Sequence, residues 1–259
     1  MPVFDLHMIA IIVGISLVGG FLGLDRTAVG QFMVSQPLVA GPCTGWVLGD
    51  VATGLVIGTV LELIWLLDMP IGNFVPADAT IVTVSGCAIA ILGKPGGTTL
   101  AVIGFSLLLT TAMVPLTMWA DTFIRHRNSK LMENVFSSNA ENMAQAIRRA
   151  HLSGIFAFFL KSFVLCLFII PAGMAAVQLV EHLPGTVQRA LSLFVKLLPL
   201  LGAALIVRKL SIRLFDLFLI IGFVIAAIFG LLLQVPVLIV LLFTVIAGWL
   251  GARYSEQRS

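Results

Sequence analysis

Charge is the first thing this chain lacks. Only 10% of its 259 residues are Asp, Glu, Lys or Arg, against about 25% in a soluble domain. Most of its surface therefore does not meet water. Cysteine is scarce too: Cys43, Cys87 and Cys166 lie far apart in apolar runs. With no CxxC and no Cys/His cluster, neither a zinc site nor a disulfide framework is expected, and the thiols read as small buried hydrophobes. No Lys or Arg precedes Arg26, so the positive start of a cleavable signal peptide is missing. His7, His126, His151 and His182 are scattered and form no HExxH or nucleophile–histidine pattern. The run Gly93-Lys94-Pro-Gly-Gly-Thr98-Thr99 fails as a phosphate loop, because Ala88 stands where that motif needs Gly. It reads as a turn. No catalytic residue, metal or cofactor is expected, and the chain does not read as an enzyme.

What fills the space is hydrophobic: 59% of residues are apolar. One spanning helix needs about 20 mainly apolar residues, and several such stretches occur. Helices are the expected spanning form because lipid offers an open backbone no hydrogen-bond partner. Leu217–Leu233 and Val235–Leu250 are apolar on all sides, which excludes the alternation of a β-barrel. The expected fold is all-α: a polytopic transmembrane protein of a cell inner (plasma) membrane.

Spans are clearest in the C-terminal half: Gly154–Val180, Val187–Val207, Leu214–Leu233 and Val235–Leu250. Basic residues fall in three places: Arg125 to Arg149, then Arg208, Lys209 and Arg213, then Arg253 and Arg258. Four alternating spans put all three on one side, which the retention of Lys and Arg makes cytoplasmic. The C-terminus is then cytoplasmic and Glu181–Thr186 faces outward. The net charge of +3 thus reads as a topology signal, and no nucleic-acid partner is expected. Between the spans, Ser138-Asn-Ala-Glu141 has capping-box spacing, followed by Met143, Ala146, Ile147 and Ala150. This predicts a short amphipathic helix at the cytoplasmic interface, either docking a partner or resting on headgroups. The expected organisation is 1–124, a membrane-embedded half with the site; 125–153, a cytoplasmic connector; and 154–259, transmembrane helices.

The N-terminal half differs. After a span over Leu6–Leu24, Gly and Pro interrupt every apolar piece up to Leu92, and Asp50, Glu62, Asp68 and Asp78 appear without a balancing base between Arg26 and Lys94. Discontinuous or re-entrant helices are expected, covered by protein or lining a water-filled cavity. Thr98–Trp119 then reads as an ordinary span. Glu62 is the sharpest signal, an acid inside Gly58–Leu67 with Trp65 one turn on. Carboxylates at membrane depth normally face a cavity or partner. An indole beside one suits a sugar, whose hydroxyls donate to the acid while the ring covers a C–H face. The plainer reading is a buried acid bonded to a neighbouring helix, with Trp65 an interfacial anchor. In the loop Met69–Ala79, Asn73 and Asp78 complete a candidate hydroxyl-binding set, and Asp78 also suits the N-cap of a helix Ala79–Leu92. Asp50 reads as structural, Asp68 as interfacial.

The words Ser35-Gln-Pro-Leu-Val39, Gly45-Trp-Val-Leu-Gly-Asp50, Thr53-Gly-Leu-Val-Ile-Gly58, Leu61-Glu-Leu-Ile-Trp65, Met69-Pro-Ile-Gly72 and Asp78-Ala79, in that order, resemble the IIC membrane component of mannose-type (mannose–fructose–sorbose) sugar phosphotransferase systems. The resemblance implies a sugar permease subunit of an oligomeric complex, working with a membrane partner, IID, and with soluble IIA and IIB proteins that carry phosphate. It implies that the sugar binds near Glu62 and Asp78. The chain departs from that pattern at Gln36 (commonly Arg), Asn73 (commonly Ala) and Ala77 (commonly Pro), which leaves the sugar open. A phosphate-independent transporter of another polar solute, or a membrane scaffold or sensor derived from such a permease, are the competing readings.

Overall fold

A computed structural model describes residues 5–66, 68, 75–93, 97–136 and 143–210. Among them the regular structure is helical: α1 Leu6–Asp25, α2 Pro37–Leu48, α3 Val51–Trp65, α4 Ala79–Leu92, α5 Leu100–Ala112, α6 Val114–Phe136, α7 Met143–Val177, a short 3-10 turn Gln178–His182, and α8 Gly185–Leu210. The chain divides into two units, 1–206 and 207–259. The expected spans Leu214–Leu233 and Val235–Leu250, the basic residues Arg213, Arg253 and Arg258, and the capping box at Ser138 lie outside the described residues. Four described stretches are long and apolar enough to cross a membrane: Leu6–Asp25, Leu100–Glu133, Met143–His182 and Gly185–Arg208.

The helices α2, α3 and α4 are too short to span. At 1.5 Å per residue they are about 18–22 Å long, against a hydrocarbon core of about 30 Å. They are the interrupted pieces expected from the Gly and Pro content. Gly49 takes φ +83° at the α2 C-cap, a conformation that favours glycine. The Asp50 carboxylate then caps α3, accepting from the Thr53 N–H at 3.0 Å and its hydroxyl at 2.6 Å. The two helices fold back on each other with glycines on the contact line. A Cβ at Gly41 would strike the Gly54 carbonyl, one at Gly54 the Gly41 carbonyl, and one at Gly58 the Pro37 carbonyl. Small residues let helix backbones meet in lipid, where no hydrophobic force drives helices together. The same logic joins α1 to α7, where Gly19, Gly20 and Gly23 lie under Cys166, Phe159 and Ser162.

α4 is the core of the unit. Every residue from Thr80 to Ala90 is buried, and the helix packs against α1, α2, α3, α5 and α7. Its buried hydroxyls are satisfied locally or across the fold: Thr83 donates to the Ala79 carbonyl at 2.7 Å and Thr80 to the Ser35 carbonyl at 2.8 Å.

Two expectations need refinement. The span expected over Thr98–Trp119 lies within the candidate span Leu100–Glu133, with a one-residue interruption at Met113, where Pro115 in the first turn of α6 supplies no N–H to the preceding turn. α6 then continues without Gly or Pro to Phe136, through the basic residues read as the start of a connector. The amphipathic pattern from Met143 is likewise the first turns of the 35-residue α7 rather than a separate helix. Lys, Arg, Met and Gln are good helix formers, so each long helix extends into its polar end.

Candidate functional site

The end of α1, the segment before α2, the end of α3 and the start of α4 converge on a small cavity of about 50 Å³. Arg26, Ser35 and Gln36 form one side; Trp65, Asp68, Ala77, Ala79 and Thr80 complete the lining. The cavity has room for a water or two, at about 30 Å³ each.

Asp25, at the end of α1, shapes one wall. Buried itself, it accepts from the Phe32 N–H at 2.6 Å and the Ser35 N–H at 3.1 Å. These bonds hold a loop in which Gln31 and Met33 adopt φ of 55° and 66°, a region that costs a non-glycine residue energy. The loop delivers Ser35 and Gln36 to the cavity.

The candidate residues separate in space. Trp65 lines the cavity. Glu62, one turn earlier and 9% exposed, instead accepts from the Leu38 N–H at 3.1 Å. Its carboxylate thereby takes one of the orphan donors at the start of α2, where a negative charge also complements the helix dipole. Asp78 is buried and caps α4 through the Ile81 N–H at 3.3 Å, with its neighbours Ala77 and Ala79 in the cavity wall. The observed helix Ala79–Leu92 has the predicted bounds. Asn73 lies outside the described residues.

Asp78 also belongs to a cluster that was not singled out from the sequence. Lys161 of α7 donates to Asp78 at 2.6 Å and to Asp121 of α6 at 3.0 Å. Arg26 stands 3.6 Å from Asp78 on the other side. Arg125 closes the far end, donating to Asp121 at 2.7 Å. The Lys161 side chain is only 5% exposed and lies 5.7 Å from the centroid of the Phe158 ring, a cation–π distance. One line of alternating charge therefore joins α1, α4, α7 and α6, with Asp78 both in that line and beside the cavity. The signal for it was present: Lys161 is the one charged residue in Ile155–Pro171, the same anomaly that marks Glu62.

These features define an all-helical, multi-pass membrane protein with a polar cavity at the junction of broken helices and a buried ionic cluster against it. The family described as "PTS system sorbose-specific IIC component" matches residues 7–249; the chain belongs to this family of sugar phosphotransferase membrane components. It is 36% identical over 88 residues to the "Putative N-acetylgalactosamine permease IIC component 2" of Escherichia coli K12, a match covering 34% of this chain and 59% of that protein. It is 29% identical to the "Fructose permease IIC component" of Bacillus subtilis 168, over 74% of this chain and 70% of that one. It is 26% identical to the "PTS system sorbose-specific EIIC component" of Klebsiella pneumoniae, over 86% and 80%. Among solved structures, one titled "Structure of membrane protein" matches with a TM-score of 0.74 at 22% identity, covering 98% of this chain and 96% of that one. A cryo-EM structure of the mannose transporter ManYZ with microcin E492 matches with a TM-score of 0.55 at 20% identity, over the same shares. Both show the shared fold.

Removing the Lys161 ammonium leaves two aspartates facing each other without their common partner. Breaking one side of a buried ionic group costs about 3–5 kcal/mol. Lys161→Met should therefore lower the thermal unfolding midpoint in detergent strongly, and Lys161→Met/Asp121→Asn should recover part of the loss. An unchanged midpoint for Lys161→Met would remove the cluster from the fold's support.

Proposed function

We propose that this chain is the sugar-translocating subunit of a mannose-type phosphotransferase system. It works beside a IID-like membrane subunit, while phosphoryl transfer runs on soluble IIA and IIB proteins and the hexose-like sugar is phosphorylated on the cytoplasmic side. The observation that carries the reading is the cavity at the junction of α1, α3 and α4, lined by the Trp65 indole, the Asp68 acid and, opposite them, hydroxyl and amide groups. Trp65 would cover a sugar C–H face, and Gln36, Asp68 and Thr80 would exchange hydrogen bonds with hydroxyls. Glu62 uses one oxygen on Leu38 and keeps the other for a hydroxyl. Asn73 and Asp78 complete the set, Asp78 by holding the start of α4 in place.

The cavity is smaller than a hexose, so binding must open it. Residues 1–124 would carry the site on short helices that can shift as a body against the long ones. Two of the three departures from the family pattern, Gln36 and Ala77, line this cavity, which makes it the natural seat of sugar selectivity. By the distribution of basic residues, the segment 125–153 and the C-terminus face the cytoplasm. Cysteines placed at Ser138 and Ser255 should then resist an impermeant thiol reagent in intact cells; ready labelling of either would reverse this orientation.

Vesicles containing this chain and a IID-like subunit should take up and phosphorylate sugar when phosphoenolpyruvate and the IIA and IIB proteins are supplied, and this chain alone should not. Full activity from the single chain would refute the partner, and uptake that ignores the phosphocarriers would favour a phosphate-independent transporter. Glu62→Gln retains an acceptor for Leu38 but loses the charge. A hydrogen bond to a charged group contributes about 1.5–3 kcal/mol, so sugar affinity should fall roughly ten- to a hundredfold with normal complex yield. A normally assembled Glu62→Gln complex with unchanged affinity would exclude Glu62 from the site.

A further inference from the structure

Lys196 stands where a charge is hardest to accommodate. It occupies the middle of the span Gly185–Arg208 and is exposed on the surface of the chain. Among the described residues it has no ion pair or hydrogen bond. This is the opposite of Lys161, which is buried between two carboxylates. A cation at the centre of a span turns to a cavity or a partner, not to hydrocarbon.

The rest of its helix face is built accordingly. Gln188, Arg189 and Ser192 precede Lys196 at spacings that put them on the same side of α8. Together with Thr99 at the start of α5 they line an open groove of about 670 Å³. The rest of α8 is largely Leu, Val, Ala and Phe, so this strip is its polar face. Glu181 at the mouth of the groove already has an interaction of its own, leaving Arg189 and Lys196 as a cationic line.

Depth decides what covers it. Lys196 lies 11 residues beyond Gly185, about 16 Å along the helix at 1.5 Å per residue. That is half of a hydrocarbon core of about 30 Å. A lipid phosphate at either surface is too distant for a direct pair, whereas a carboxylate carried on a second membrane helix is at the right level. Among the described residues no carboxylate pairs with it: Asp78 and Asp121 are bound to Lys161 and Glu62 accepts from the Leu38 N–H at the start of α2, while the apolar stretch 214–250 of the sequence holds one acid, Asp216, near its start.

We propose that the groove beside α8 is the docking face for a membrane-embedded helix of the partner subunit, and that this helix presents a carboxylate to Lys196. The inference rests on the reading above that the chain works with a second membrane subunit. It names the surface and the chemistry of the contact. The Gln188 and Ser192 side chains already donate to the Leu183 and Gln188 carbonyls and extend the contact through their acceptor oxygens, and Arg189 meets a second acid or the headgroup region nearer the membrane surface.

The test uses the full chain co-expressed with a IID-like subunit of a mannose-type system from the same genome. A photo-reactive residue at Leu193 reports what lies in the groove. Partner recovered per chain is measured for wild type, Lys196→Arg and Lys196→Met. Wild type and Lys196→Arg should recover the partner equally, and Lys196→Met should recover roughly tenfold less or worse. The Leu193 probe should cross-link to a partner peptide containing Asp or Glu. Partner recovery unchanged in Lys196→Met, or a probe that labels only lipid or a second copy of this chain, overturns the docking face. So does an isolated Lys196→Met chain that is no longer monodisperse in detergent, since Lys196 would then serve the chain's own fold. If wild type recovers no second membrane subunit, the partner reading itself fails; if recovery is normal and Lys196 is irrelevant to it, only the docking face fails.

Discussion

One ammonium group, that of Lys161, holds the described unit together. A lysine buried in a membrane helix is tolerable only if its charge is matched and its donors are used. Here two carboxylates hold it, one from the start of α4 and one from α6, and each carboxylate has a further cation on its outer side, Arg26 for Asp78 and Arg125 for Asp121. The geometry this requires is demanding. It fixes the N-terminus of the most buried helix relative to α1, α6 and α7, and thereby sets the wall of the cavity formed by Ala77, Ala79 and Thr80.

Everything on the other side of the cavity is arranged by backbone capping and by the absence of side chains. Asp25 holds the loop that ends in Ser35 and Gln36. Glu62 takes an orphan N–H at the start of α2. Asp50 does the same for α3. Between α2 and α3 the glycines bring backbones into contact, so the pair behaves as a stiff helical hairpin. Carboxylates thus serve twice in this half of the molecule: they satisfy helix ends that lipid cannot, and they bring polar chemistry to the place where the short helices meet. Asp25 and Asp50 each spend both carboxylate oxygens on these bonds, so they act as frame.

Much of this was readable from local sequence. The short pieces broken by Gly and Pro, the capping role of Asp78 and the helix Ala79–Leu92 with its observed bounds depend on neighbours a few residues away; Asp50 reads from the sequence only as structural, and its cap on α3 and the glycine at the α2 C-cap come from the structure. The long-range pairings were not readable. Lys161 meets Asp78 across 83 positions of chain and Asp121 across 40, and nothing in either local pattern names the other. Glu62 shows the limit differently. Its acid-in-apolar signal marked a buried, partnered group, but the same signal serves a ligand or a neighbouring helix, and the bond to Leu38 spans 24 positions. The polar ends of α6 and α7 read as a connector because charge suggests water, yet charge and helix formation are compatible: α6 runs to Phe136 and α7 starts at Met143.

The central claim is that the ionic cluster at Lys161 and the cavity at Trp65 form one site. A cryo-EM map of the chain in its transport complex, with the transported sugar bound, tests this most directly. The account predicts sugar density against the Trp65 ring and the start of α4, with the Lys161 ammonium still bonded to both Asp78 and Asp121. Sugar density away from Trp65, Gln36 and Asp68, or a Lys161 separated from Asp78 in every state, would contradict it.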